Sequence, residues 1–182
     1  MQANLFLTAL AGIAIGGAAF AANPMVGGAP MLETRTIVEN AVNSADHTTL
    51  VAAVKAAGLV ETLSGPGPFT VFAPVNAAFE ALPEGTVETL LKPENKAMLQ
   101  KVLTYHVVAG DWSAAQIVSA IQSSKGGSFM FEAVSGDRLT ARLRGGQVVL
   151  TDESGNNAIV TIADVEQSNG VIHVIDTVLV PR

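Results

Sequence analysis

The side chains able to do chemistry in this chain are few and scattered. Its three histidines, His47, His106 and His173, stand far apart and lack the short spacing that lets imidazoles of one element share a metal. No His-Glu-x-x-His and no Gly-x-Ser-x-Gly occurs, so neither a zinc hydrolase centre nor a nucleophile elbow is encoded. Cysteine is absent, which removes thiolate ligands, thiol nucleophiles, disulfides and a lipid-bearing cysteine together. Asp152, Glu153, Asn156 and Asn157 gather oxygens in a short loop. The run Asp-Glu-Ser-Gly-Asn lacks the spaced ligand ladder of a dedicated calcium loop, however, and reads as a hairpin turn. Gly65-Pro66-Gly67 leads into a strand, so no helix N-terminus stands behind it to hold a phosphate. Acid–base catalysis needs two positioned carboxylates, and spacing alone does not unite Asp164, Glu166 and Asp176. The sequence predicts no catalytic residue, no metal and no cofactor.

What remains is charge suited to binding. Gly145-Gly146 forms a two-residue hairpin turn, because both positions accept positive φ. That register sets Leu143 opposite Val148 and Ala141 opposite Leu150 on an apolar side. The other side pairs Arg144 with Gln147, Arg142 with Val149 and Thr140 with Thr151, so Arg138, Arg142 and Arg144 line one face of one strand. One reading is a solvated outer face; the other is a docking ridge for an anionic polysaccharide or a lipid headgroup, held by charge-assisted hydrogen bonds. The net charge of −6 argues against nucleic acid as the partner.

These residues must be positioned by one domain of mixed helix and strand. Hydrophobic residues make up 49% of the 182, enough for a sizeable core, and charged ones only 14%. Residues 1–21 read as a signal peptide: Leu5 to Phe20 is apolar, and Ala19-Phe20-Ala21 supplies the small-x-small cleavage pattern. An uncleaved membrane anchor is the rival reading of that segment. Residues 22–35, with Pro24, Gly27, Gly28 and Pro30, read as a flexible lead-in, and residues 36–182 as the domain. Helices come first. Thr36 to Ala45 carries Ile37, Ala41 and Val42 at helical spacing, and Asp46 caps a second helix that Gly58 ends. Further helices follow at Val87 to Leu91, after Pro93, where Met98, Leu99, Val102 and Leu103 share a face, and at Ser113 to Ile121. From Ser128 onward the pattern is β.

Three segments carry a resemblance. Thr70 to Phe79 reads TVFAPVNAAF: a strand closed by Pro74, then Asn76 as the N-cap of a helix over Ala77 to Leu82. Tyr105-His106 is the second. Asn169 to Pro181, NGVIHVIDTVLVP, is a turn followed by a β-branched run. In this order and spacing they resemble the fasciclin domain family, whose two signature boxes flank a Tyr-His pair, over roughly Thr36 to Arg182. The resemblance implies an α+β fold, a β-wedge of about seven strands with helices packed along one edge. It implies that His106 bonds toward Asn76, that Tyr105, His106 and their surroundings form a binding surface, and that His173 is structural. Val75 departs from the family pattern, which favours Thr, Ser or Asp there and so a polar cap that valine cannot supply.

The expected function is a secreted or periplasmic adhesion module without catalysis. Its expected partner is a cell-surface or matrix protein or an anionic polysaccharide, and the binding residues are Asn76, Tyr105, His106, Arg138, Arg142 and Arg144. The alternative is a carrier of a small apolar ligand, suggested by Phe129, Met130 and Phe131, with alternation putting both phenylalanines on one side and Met130 on the other.

Overall fold

The computed structural model describes residues 23–182; the segment read as a signal peptide lies outside them. Elements are numbered in chain order. Strands β3 (Phe69–Pro74) and β9 (Gly170–Ile175) run parallel, from Phe69 opposite Gly170 to Pro74 opposite Ile175. Both are apolar without alternation, the composition of strands covered on both faces, and every residue of β9 is buried. A Cβ at Gly170 would collide with the Phe69 carbonyl, so the closest approach of the two strands is open only to glycine.

The sheet extends outward from this pair. Beyond β9 lie β8 (Asn157–Gln167), β7 (Gln147–Thr151), β6 (Arg138–Arg144) and β5 (Ser128–Glu132), all antiparallel; beyond β3 lies β4 (Val107–Ala109). The order β4-β3-β9-β8-β7-β6-β5 gives the expected seven strands. The two outer strands then approach each other: Val108 bridges Ala133, and the Val134 N–H donates to the Val107 carbonyl at 2.8 Å. The sheet is nearly closed.

Helices α1 (Ile37–Ala41), α2 (Thr48–Ala57), α3 (Val60–Leu63), α4 (Asn76–Glu80), α5 (Thr86–Leu91) and α6 (Lys96–Tyr105) contribute to one core, built on Val71, Ala73, Ile172 and Val174 of the central strands. Helix α7 (Ala114–Ser123) sets Ile117 and Ile121 into a second core with Phe72, Leu139, Ala141, Leu150 and Ile175. The alternation of β3 and β9 thus feeds two cores at once. Two helices start with full capping boxes, Thr36 with Glu39 and Ser113 with Gln116, and Gly58 ends α2 at φ 71° as expected.

Four expectations change. Residues 23–35 of the expected lead-in are not loose: β1 (Met25–Val26) and β2 (Ala29–Pro30) make a hairpin, and Val26 and Met31 insert into the core, because both are too apolar to leave in water. Asp46 does not cap α2 but sits in a short 3₁₀ turn before it. Met98 leaves the apolar face it shares by spacing with Leu99 and Val102, and stands 60% exposed. The sequence predicts extended backbone from Tyr105 to Val108, but Tyr105 is still helical and the chain turns extended only after His106.

Asn169 joins the two halves of the chain. Its Oδ1 accepts the Ile37 N–H at 3.0 Å, and its Nδ2 donates to the carbonyls of Leu63 and Gly65 at 2.7 and 3.0 Å. Asn169→Ala would strand a buried donor at α1 and a buried acceptor at α3. Each unmade bond costs about 1–3 kcal/mol, so urea unfolding should show a loss of about 3 kcal/mol. A loss under about 0.5 kcal/mol, the usual surface value, would refute this role.

Candidate interaction surface

Tyr105 and His106, expected at a binding surface, are both buried. The His106 Nδ1–H donates to the Val102 carbonyl at 2.8 Å, and Nε2 accepts the Leu179 N–H at 2.9 Å. Both nitrogens are therefore occupied, and the partner is the C-terminal segment rather than Asn76. Burial pushes the His106 pKa down to about 4, so the ring is neutral and its tautomer is fixed by these two bonds. The Tyr105 hydroxyl donates to the Arg138 carbonyl at 2.7 Å and accepts the Glu153 N–H at 3.3 Å. Burial raises its pKa to about 12, which keeps it a donor. Neither side chain is presented to a partner; each fixes backbone that leads to the surface.

Asn76 does not cap its own helix. Val75 occupies the N-cap position of α4 without a side-chain bond, because valine has no acceptor. Asn76 instead reaches the start of α2: Oδ1 accepts the Thr49 N–H at 3.0 Å and the Thr48 hydroxyl at 3.2 Å, while Nδ2 donates to the Ala45 carbonyl at 2.8 Å. It satisfies one of the orphan amides of α2 from a distant element.

The β6–β7 hairpin has the expected register, Arg144 opposite Gln147, Arg142 opposite Val149 and Ala141 opposite Leu150. Arg138, Arg142 and Arg144 are exposed on one face, and none forms an ion pair among the described residues. Four strand steps separate Arg138 from Arg142 and two separate Arg142 from Arg144, which spaces the backbone origins roughly 13 and 7 Å apart. Two supports hold this strand. Tyr105 holds the Arg138 carbonyl from inside, and the Glu153 carboxylate accepts the Arg138 N–H at 3.2 Å. The arginine face is not polar throughout, since Val149, opposite Arg142, is buried.

Phe129, half-buried, and the buried Phe131 join Trp112 in an aromatic cluster, with ring centroids 4.9 to 5.4 Å apart, while Met130 points to solvent. The alternation is as expected. The phenylalanines are filled by one another rather than left open to a ligand.

With this architecture in place, comparison with known proteins is decisive. The model of the Fasciclin domain matches residues 45–181. The chain belongs to the fasciclin family. Protein sll1483 of Synechocystis is 54% identical over 146 residues, covering 80% of this chain and 73% of that protein. The cell surface glycolipoprotein MPB83 of Mycobacterium bovis is 37% identical over 123 residues, 68% of this chain and 48% of its own length. Among solved structures, the FAS1 domain pair of the insect cell adhesion molecule Fasciclin I superposes with a TM-score of 0.70 at 20% identity, over 80% of this chain and 50% of that one.

Three side chains tie this fasciclin domain together: His173, as the resemblance implies, and Asp164 and Asp152, whose long-range partners spacing does not reveal. His173 lies opposite Ile172 and Val174, stacked on Phe72 with centroids 5.6 Å apart; Nε2–H donates to the Trp112 carbonyl and Nδ1 accepts the Asp164 N–H. Asp164, at φ 55°, caps the first amide of α7 with its carboxylate. Asp152, read as a turn residue, is buried: Oδ1 accepts the N–H groups of Ser154 and Asn156, and Oδ2 accepts the Asn156 amide and the Val180 N–H. The turn signal was correct but silent about Val180, because a long-range partner leaves no local pattern.

All three histidines have pKa values lowered by burial. In the unfolded chain they titrate near 6.5, so between pH 6.5 and about 4 the unfolded state binds protons that the folded state refuses. Their contribution is complete above pH 6.5 and is lost as pH falls toward the folded values. Stability should therefore drop by about 1–2 kcal/mol between pH 7 and 5, and His106→Gln should flatten the dependence. A urea midpoint unchanged across that range would contradict it.

Proposed function

We propose that this fasciclin domain is a non-catalytic adhesion module acting outside the cytoplasm, and that it grips an anionic polymer at a cell surface or matrix through Arg138, Arg142 and Arg144. The observation that carries the reading is three exposed guanidinium groups, unpaired among the described residues, on one face of a strand anchored from within. Guanidinium forks match carboxylate and sulfate oxygens in pairs, and a strand fixes their spacing before the partner arrives. The protein as a whole is acidic, at a net charge of −6, so a polyanion is steered to this face and repelled elsewhere. The description of Fasciclin I as a cell adhesion molecule and of MPB83 as a cell-surface protein supports the setting.

Single contacts of this kind are weak, each worth about 0.2–1 kcal/mol when exposed, so firm attachment comes from many copies acting together. Beads densely coated with the protein should be retained on an immobilised uronic-acid polysaccharide at low salt and released as salt rises. Replacing Arg138, Arg142 and Arg144 together by Ser should cut retention at least about tenfold while changing stability by less than about 0.5 kcal/mol. Retention unchanged by the triple substitution at low salt would refute the arginine face.

A further inference from the structure

After β9 the chain passes between the two cores, burying Val178 in the first and Leu179 in the second. Two consecutive amides tie this segment down. The Leu179 N–H donates to His106 Nε2 at 2.9 Å, and the Val180 N–H donates to Asp152 Oδ2 at 3.0 Å. The acceptors come from different places, the end of α6 and the turn after β7. Asp152 accepts three further bonds, all from Ser154 and Asn156 of its own turn, so Val180 is its one distant donor.

His106 holds its amide only while the ring is neutral. Nδ1 already donates to the Val102 carbonyl, so an added proton must go to Nε2, where it faces the Leu179 N–H. Donor then meets donor, and attraction turns to repulsion. An imidazolium also finds no solvation inside, because the void of about 40 Å³ beside it is walled by Val71, Phe72, Leu103 and Val107. Of the ionised groups around the ring, Asp152 favours its protonation. Lys55 of α2 lines the same void from an exposed position and brings a like charge. Tyr105 keeps its proton, and Lys101 of α6 is paired with Asp137 at 3.5 Å.

We infer that residues 177–180 form an acid-released latch: proton uptake by His106 frees them as a unit while the seven-stranded sheet stays paired. Opening turns Val178 and Leu179 out of the two cores, so acid exposes apolar surface that neutral pH conceals. Burial holds the closed ring at a pKa of about 4, whereas a freed ring titrates near 6.5. The closed form is therefore fully favoured above pH 6.5 and loses ground as pH falls toward 4. Between pH 7 and 5 the open fraction rises about twentyfold from His106 alone. The latch is independent of the arginine face.

The test is amide hydrogen exchange of the full chain by NMR at pH 7, 6 and 5, with each rate divided by the intrinsic rate at that pH. Leu179 and Val180 should lose about twentyfold protection from pH 7 to 5. At pH 5 both should exchange at least about tenfold faster than the amides of β9. His106→Gln, whose side-chain oxygen accepts without titrating, should remove most of that response at Leu179. Asp152→Asn leaves one oxygen for four donors and should lower Val180 protection at pH 7 at least about tenfold more than that of β9. Exchange of Leu179 and Val180 in step with β9 at every pH would overturn the latch, since the segment would open only with the whole fold. Protection at Leu179 that ignores pH, or a response undiminished in His106→Gln, would overturn His106 as its trigger. Val180 protection unchanged by Asp152→Asn would overturn the second tie.

Discussion

The parallel pairing of β3 with β9 is the constraint on which the rest of this protein depends. It brings together segments about a hundred residues apart, and both strands are covered on both faces. Their backbone groups must then be satisfied by ladder bonds, and the residues at their margins must be polar for a reason. Asn169 stands just before β9 and closes the gap to α1 and α3. Thr70, buried in β3, donates to the Gly110 carbonyl and accepts the Trp112 N–H. His173, in β9, holds the same Trp112 by its carbonyl. With no disulfide available, this net of buried polar bonds fixes where the two cores sit relative to each other.

Much of this was legible in the sequence, and the parts that were not share a cause. The β6–β7 register followed from Gly145-Gly146 alone, since a two-residue turn leaves one alignment of the alternating apolar residues. Gly58, Thr36 and Ser113 likewise act on neighbours a few residues away. Asn76 misled because an asparagine before a helical run looks like a local cap, whereas its acceptor serves the amide of Thr49. The hairpin at Met25–Pro30 was obscured by Gly27 and Gly28, which read as flexibility but serve the turn at positive φ. Met98 matched the helical period, but period gives a face and not the partner that covers it.

The same division explains the residues expected to bind. Tyr105 and His106 were drawn to attention by their place in the family pattern, yet they lie inside the fold. Their contribution to the surface passes through backbone: one holds the carbonyl of Arg138, the other the amide of Leu179. Arg138 begins the arginine face, and Leu179 lies in the segment that follows β9. The Tyr105-His106 pair at the end of α6 thus fixes backbone at two separate places.

The meeting of Val108 with Ala133 limits what the edges of the sheet expose. An open seven-stranded sheet would offer two rows of unused amides and carbonyls, each a template for a neighbour's chain. Here the two margins meet at one bridge and one hydrogen bond, so part of the backbone that each would offer is already used within the molecule.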